Sequence, residues 1–440
     1  MSVVRLNQGR NRPRRQRPVE DSSFIAALDV GTSKICCLIA EVLEPRNGVQ
    51  GPGGVQLKIR GFGHQASRGV KAGVVVDTGE ADRAIRLAVD AAERMAGRAI
   101  SEVFVSVAGG RPRCQAYTGV SSVMTSDVRP VDMQRAVSAA LQRLDSRGRI
   151  ILHTAPVQYH LDEAHGVRQP LGMFGQKLAV EVNVVTVEPG ALNNLGLAVG
   201  RCHLDVADYV IAPYAGARAV LVDDEKSLGT TYIEMGGGTT GIAAFYEGNL
   251  VFADVVPLGG QHITNDIARG LSTSIAHAER LKTLYGSALP SGNDDREYLV
   301  VPLLGERGVD KVQQVPRSML TSIIRPRVEE ILELVRDRLA ASPFGGLAGD
   351  RVVLGGGASQ LTGLREVAAQ ILNRFVRSGA QGPNHAMPET ARSSSFAVAA
   401  GLLDYALKPD RHIELSGMGP TRVQKGNYFL RVGKWIKESF

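Results

Sequence analysis

TTYIEMGGGTTGIAAFYEGNLVFA, at Thr230–Ala253, reads as an apolar strand, an acidic residue, a Gly/Thr turn and a second apolar strand. About 200 residues earlier, FIAALDVGTSKICCLIAEV at Phe24–Val42 has the same order. Asp29 precedes Gly31, Thr32, Ser33 and Lys34 in the earlier copy, and Glu234 precedes Gly236, Gly237, Gly238 and Thr239 in the later one. Phosphate oxygens need dense donors and close backbone approach. Glycine permits the approach, and Thr or Ser adds hydroxyl donors. Lys34 adds a cation to the first turn only, and Asp29 and Glu234 stand where a carboxylate could hold Mg2+, directly or through its waters. A hairpin of this kind used twice predicts two similar lobes around one nucleotide.

The chain's 440 residues exceed one hydrophobic core and predict several domains. No run of 18 apolar residues occurs, so no transmembrane helix is expected. The N-terminus lacks the apolar stretch of a signal peptide. Cys36, Cys37, Cys114 and Cys202 have no CxxC spacing and read as reduced thiols of a cytosolic protein. The formal charge of +7 is concentrated at the ends: residues 1–20 carry +5, residues 421–440 carry +4, and the remaining 400 sum to −2. A body of that sign predicts no nucleic-acid partner, and the basic tails suit an anionic membrane surface.

Residues 1–21, rich in Arg, Pro, Gln and Asn, predict a disordered tail. After the first hairpin come a turn at Glu44–Gly54, a strand at Val55–Gly63, a helix at Asp77–Gly97 and a strand at Glu102–Ala108. This β-β-β-α-β order opens a ribonuclease-H-like lobe. Residues 109–187 break the pattern with strands at Gln115–Val123, Ile150–Tyr159 and Lys177–Val187 and a helix near Val131–Leu144, a domain-sized α+β insertion. A helix at Gly190–Cys202 and a strand at Asp205–Ile211 close the first lobe. A strand at Ala219–Val222 is expected to open the second. Gly259–Arg269 and Ile275–Tyr285 read as helices, and Ser287–Val315 as irregular. Arg317–Leu339 reads as a long amphipathic helix that Pro326 should kink or split. A strand at Arg351–Leu354, a helix at Leu361–Arg374 and a small-residue helix at Ser395–Leu407 complete the lobe.

A third glycine run, Gly355 through Gly356, Gly357 and Ala358 to Ser359, lies between strand and helix, where the absence of Cβ atoms lets a base and ribose rest on backbone. Glu279 and Lys282 lie one helical turn apart and read either as a solvated ion pair or as groups near the purine and ribose. Residues 408–426 read as a linker. On a helical wheel of 427–440, Tyr428, Phe429, Val432, Trp435, Ile436 and Phe440 share one arc, and Arg431, Lys434, Lys437 and Glu438 share the other, with Leu430 the exception. Too short to span a bilayer, the segment fits a helix lying in an anionic lipid interface, and such weak anchors hold best in several copies.

With those residues placed, the chain resembles the actin, sugar-kinase and heat-shock-chaperone ATPase superfamily through DVGTSK (29–34), EMGGGTT (234–240) and LGGGAS (354–359). Within it the chain resembles the FtsA family of bacterial cell-division proteins. That narrower resemblance rests on the insertion at 109–187, SRGV (67–70), VPRSML (315–320) and the tail FLRVGKWIKESF (429–440). It covers roughly residues 22–407 and the tail helix.

The resemblance implies an α/β, actin-like two-lobe ATPase fold of duplicated ribonuclease-H-like lobes. It implies subdomain 1A at 22–108 and 188–220, 1C at 109–187, 2A at 221–262 and 337–407, and 2B at 263–336. It implies a protein that binds ATP and Mg2+, polymerises with itself, and tethers FtsZ filaments at the cytoplasmic face of the inner membrane. Phe429, Val432, Trp435, Ile436 and Phe440 would enter the lipid. The C-terminal peptide of FtsZ would dock on 2B, with Arg317 a basic position of that surface, and 1C would recruit later division proteins. Gly31, Thr32, Ser33, Lys34, Gly236, Gly237, Gly238 and Thr239 would meet phosphates. Gly356, Gly357 and Ala358 would line the adenosine, with Glu279 and Lys282 near base and ribose. One departure stands out: the superfamily's second motif usually begins with Asp, and this chain has Glu234, whose extra reach favours a nucleotide held with weak or no hydrolysis. The alternatives are a small-molecule kinase of the same superfamily and a pilus-assembly relative of FtsA.

Overall fold

β1 (Phe24–Val30) and β2 (Lys34–Leu43) form the first hairpin, antiparallel from Phe24 opposite Glu41 to Val30 opposite Ile35. β2 continues antiparallel into β3 (Gln56–Ala66). A short ribbon of β4 (Val70–Lys71) and β5 (Val74–Val75) leads to α1 (Thr78–Ala96), which starts on the Asp77 side chain and ends at Gly97. β6 (Glu102–Val107) then lies parallel to β1. The computed structural model describes residues 24–43, 56–144, 148–305, 312–342, 346, 348–380, 385–386 and 392–407. The tail at 1–21, the turn at Glu44–Gly54, the linker at 408–426 and the amphipathic helix at 427–440 lie outside the described residues.

Next comes the insertion: β7 (Arg113–Ser122), α2 (Pro130–Leu141), β8 (Ile150–Leu161), β9 (Ala164–Val167) and β10 (Lys177–Val187). Its antiparallel sheet has the order β7-β10-β8-β9, and a core of its own includes Val137, Leu141, Leu178 and Val180. β9 has no counterpart among the strands expected from the sequence. α3 (Pro189–Gly200) and β11 (Asp205–Ile211), parallel to β6, return the chain to the first sheet.

A helix, α4 (Ala212–Val220), then replaces the strand expected at Ala219–Val222. Pro213 sits in its first turn, where its missing N–H costs nothing, and nearly every side chain of the helix is buried. An all-round apolar helix has no period to read, which is why its end passed for a strand. α5 (Asp223–Leu228) leads into β12 (Thr230–Met235), β13 (Thr240–Tyr246) and β14 (Asn249–Val256).

α6 (Gly260–Gly270) and α7 (Ile275–Tyr285) follow, and then β15 (Tyr298–Pro302) and β16 (Val312–Pro316) pair as a ribbon inside the segment read as irregular. α8 (Arg317–Ala340) is one helix despite Pro326. Proline inside a helix costs about 3 kcal/mol. Burying Leu320, Ile324, Val328, Ile331, Leu332 and Val335 returns about 1.5–3 kcal/mol each, and the helix persists. β17 (Arg351–Gly355), α9 (Leu364–Leu372), β18 (Phe375–Ser378), β19 (His385–Ala386) and α10 (Ala397–Leu407) complete the chain. The helix expected at Leu361–Arg374 is thus shorter, and a 3-10 turn at Gly357–Gln360 precedes it.

The duplication is explicit in the strand order. β3-β2-β1-β6-β11 in one sheet matches β14-β13-β12-β17-β18 in the other, with the same parallel and antiparallel senses. Helix α4 packs on β12 and β13, α10 packs on β1 and β6, and the two helices pack on each other between the sheets. No helix among the described residues is long and apolar enough to cross a membrane.

β2 is covered on both faces, so the neighbouring Cys36 and Cys37 are both fully buried although they point in opposite directions. Burial pushes the Cys36 thiol well up and that of Cys37 up to about 12. Thiolates are the reactive form. In the folded protein a maleimide is therefore expected to label only Cys202 by intact-mass analysis, with Cys36, Cys37 and Cys114, whose thiol burial pushes up to about 11, modified on unfolding. Rapid labelling at four sites would contradict this packing.

Candidate functional site

Both hairpin turns close in the same way. The Gly31 N–H donates to the Lys34 carbonyl at 3.0 Å, and the Gly236 N–H to the Thr239 carbonyl at 2.9 Å. The turns face each other. A Cβ at Gly237 would fall 1.7 Å from Ser33 Oγ, and one at Gly238 would fall 2.4 Å from Thr32 Oγ1. Thr32 Oγ1 also accepts from the Gly73 N–H at 3.0 Å, which fixes the β4–β5 ribbon beside the first turn. The start of α6 braces the second turn: the Gly260 and Gln261 N–H groups donate to the Gly236 and Gly237 carbonyls at 2.9 and 2.7 Å.

The third turn joins them. A Cβ at Gly356 would lie 2.4 Å from the Met235 carbonyl oxygen, and one at Gly260 would lie 2.9 Å from Ala358 Cβ. Lys282 Nζ donates to Glu279 Oε2 at 2.7 Å, Thr264 Oγ1 at 2.8 Å and the Gly260 carbonyl at 3.1 Å. The pair read from its spacing is therefore tied to the α6 start, next to Ala358, and is more than a solvated surface bridge. Gly357 lies against Ser395, and Gln360 Nε2 donates to the Ser393 and Ser395 hydroxyls at 2.9 and 3.0 Å. Nothing in the local spacing of these serines or of Thr264 marks them in the sequence.

The charged groups sit below the turns. Asp29 and Glu234 are 7% and 9% exposed. Ser106 Oγ donates to Asp29 Oδ1 at 2.7 Å and accepts from the Val30 N–H at 3.1 Å. Burial raises the Asp29 carboxyl, against the opposing pull of Ser106 and Lys34. Burial pushes Glu234 up to about 8, with the Tyr232 hydroxyl opposing and the Asp29 charge adding to the rise. Lys34 donates to the Ser395 carbonyl and lies 3.7 Å from the centroid of the Phe396 ring. Burial lowers its ammonium, and Asp29 and Glu234 work against that lowering. The expected phosphate cation is thus held behind the first turn, against the start of α10.

Among the described residues no cluster of three or more His, Cys, Asp or Glu could by itself hold a metal. Mg2+ does not ask for one: it is commonly held by one or two carboxylates, nucleotide phosphates and water. Two buried carboxylates beneath a glycine cradle fit that pattern.

Arg317 stands apart from this cleft. It starts α8, donates to the Tyr285 carbonyl at 3.1 Å and Glu297 Oε2 at 2.8 Å, and lies 3.7 Å from Asp294. It knits the β15–β16 ribbon to α7 and α8. Phe429, Val432, Trp435, Ile436 and Phe440 lie outside the described residues.

The model of cell division protein FtsA matches residues 231–401, and that of the SHS2 domain inserted in FtsA matches residues 109–186. The chain is 44% identical over 425 residues to cell division protein FtsA of Rhizobium meliloti, covering 96% of each. The chain belongs to the FtsA family of cell division proteins. The likeness extends to the FtsA proteins of Pseudomonas aeruginosa, at 34% identity over 96% of this chain and 99% of that one, and of Escherichia coli K12, at 30% over the same shares. Among solved structures, a PilM–PilN type IV pilus biogenesis complex matches at a TM-score of 0.60 with 16% identity, covering 88% of this chain and 100% of that one. MreB5 of Spiroplasma citri matches at 0.50 with 13% identity, covering 87% and 96%. At those identities the two structures bear on the fold alone, which is the actin-like one expected, with the FtsA insertion in place.

Proposed function

We propose that the chain binds ATP with Mg2+ between its hairpin turns and, as a polymer at the cytoplasmic face of the inner membrane, tethers FtsZ at the division site. The observation that carries the nucleotide reading is the convergence of three turns, at Gly31–Lys34, Gly236–Thr239 and Gly356–Ala358, over two buried carboxylates. The MreB5 structure of this fold holds ADP, which agrees with it. When bound, Mg2+ would neutralise phosphate charge. Asp29 and Glu234 would hold it or its waters, the turn backbones and the Thr32, Ser33 and Thr239 hydroxyls would take the phosphate oxygens, and Gly356, Gly357 and Ala358 would line the adenosine. Glu279 and Lys282 reach that side from α7.

The subdomains of this reading are 1A at 22–108 and 188–220, 1C at 109–187, 2A at 221–262 and 337–407, and 2B at 263–336, with β19 and α10 of the 2A span reaching back to the first sheet. On 2B, Tyr298 and Val300 are exposed on one face of β15, beside the Pro316–Arg317 corner, and Leu284, Tyr285 and Met319 are exposed nearby. An apolar face with Arg317 at its edge suits the C-terminal peptide of FtsZ. In this reading the 1C insertion recruits later division proteins, and the amphipathic segment at 427–440 enters anionic lipid.

Nucleotide then serves as a switch on lobe closure and filament contacts, with slow turnover. Rapid hydrolysis by purified protein, abolished in Lys34→Ala, would overturn the switch. Co-sedimentation with anionic liposomes, with and without ATP and FtsZ, tests membrane, nucleotide and partner together. Trp435→Glu is expected to leave the protein in the supernatant with ATP affinity unchanged; pelleting equal to the unmodified protein would remove the anchor.

A further inference from the structure

Tyr232 is fully buried on β12, two residues before Glu234 and therefore on the same face of the strand. Its hydroxyl donates to Glu234 Oε2. The backbone around the pair is cleared for it. A Cβ at Gly216 on α4 would lie 2.8 Å from Glu234 Oε2 and 2.8 Å from the Tyr232 hydroxyl. One at Gly355 on β17 would lie 2.0 Å from the same hydroxyl. One at Gly356 would lie 2.8 Å from Glu234 Oε1. Phenol and carboxylate thus share a slot between α4 and β17 that side chains would fill. The two carboxylate oxygens have different neighbours: Oε2 faces the phenol and Gly216, and Oε1 faces Gly356 at the third turn.

The first hairpin has a counterpart. Ser106, on the strand parallel to β1, donates to one oxygen of Asp29. Each of the twin carboxylates is therefore gripped from within its own lobe by one hydroxyl. Glu234 is one methylene longer than Asp29, and the extra torsion would let its carboxylate swing. A hydrogen bond from the phenol to one oxygen removes that freedom. It also answers the cost of burying a phenol hydroxyl that phenylalanine would not carry.

We propose that Tyr232 is a positioning residue that pins Glu234 through Oε2 and turns Oε1 alone toward Mg2+, or one of its waters, at the nucleotide phosphates. This rests on the nucleotide reading above. Calorimetric titration of ATP in Mg2+ and in EDTA tests it, with the Kd in EDTA divided by the Kd in Mg2+ as the readout. In Tyr232→Phe the ring stays in its slot and only the hydroxyl is lost. The ratio is expected to fall at least fivefold while the Kd in EDTA stays within twofold. Glu234→Gln is expected to lower the ratio similarly, and the double variant to lower it no further, because the two groups act as one. An unchanged ratio in Tyr232→Phe overturns the proposal alone, as do additive losses in the double variant. If Tyr232→Phe does not fold, Glu234→Gln decides: an unchanged ratio there removes the metal-facing carboxylate the proposal needs. No ATP binding by the unmodified protein, with or without Mg2+, overturns the nucleotide reading and this proposal with it.

Discussion

Gly401→Ala is expected to lower the thermal midpoint by roughly 1–3 °C, although alanine is the better helix former by about 0.5–1 kcal/mol. Gly401 lies within α10, where that helix crosses α4. A Cβ there would fall 1.6 Å from the Ala215 carbonyl oxygen and 2.5 Å from its carbon. Both are backbone atoms of the facing helix, and neither can rotate away. The helices must separate, opening the contact between the two sheets. Overpacking of this kind costs about 1–3 kcal/mol and occasionally more, which outweighs the propensity gain. Differential scanning fluorimetry decides the sign: an unchanged or raised midpoint would show that the helices do not approach this closely.

Gly356→Ala is expected to weaken ATP binding at least 100-fold, about 2.7 kcal/mol, with the fold retained by circular dichroism. Gly356 has φ 84 and ψ 166, a region open almost only to glycine, where another residue pays about 1–3 kcal/mol. Its added methyl would also meet the Met235 carbonyl at 2.4 Å and Glu234 Oε1 at 2.8 Å. Relief requires the third turn to move off the second hairpin, which separates the adenosine side of the cleft from the phosphate side. Gly97→Ala is the control. It shares a positive φ, 67, but has nothing within 4 Å of the new methyl, so it should cost some stability and leave ATP affinity alone. Equal affinity for the Gly356 variant and the control would show that the third turn takes no part in binding.

What was legible in advance was what is local. The two hairpins, the helix between Asp77 and Gly97 and the strand at Asp205–Ile211 are written in short patterns of glycine, caps and alternation, and they stand where those patterns put them. α4 was missed because a helix buried all round shows no polar face. The β15–β16 ribbon was missed because its pairing joins partners well separated along the chain, such as Leu299 and Val315. In the cleft, the glycines and both carboxylates were legible as a repeat. Ser106, the serines at 393–395 and the place of Lys34 against Phe396 arise from contacts across long sequence separations, for which no spacing rule exists. Tyr232 could have been found: a phenol two residues before an acid on one strand shares its face.

The last helix described, α10, packs on β1, β2 and β6, and β19 pairs with β3, so the earliest sheet is closed by segments made late. On a ribosome adding roughly 5–20 residues per second, the underside of that sheet waits on the order of tens of seconds for its cover. The second sheet, whose strands all lie between Thr230 and Ser378, needs no such delay. The C-terminal half is therefore expected to mature first, and the Gly31–Lys34 turn to become competent only when α10 arrives to place Phe396 beneath Lys34. A nascent chain stalled before Ala397 would be a client for chaperones and no competitor for nucleotide.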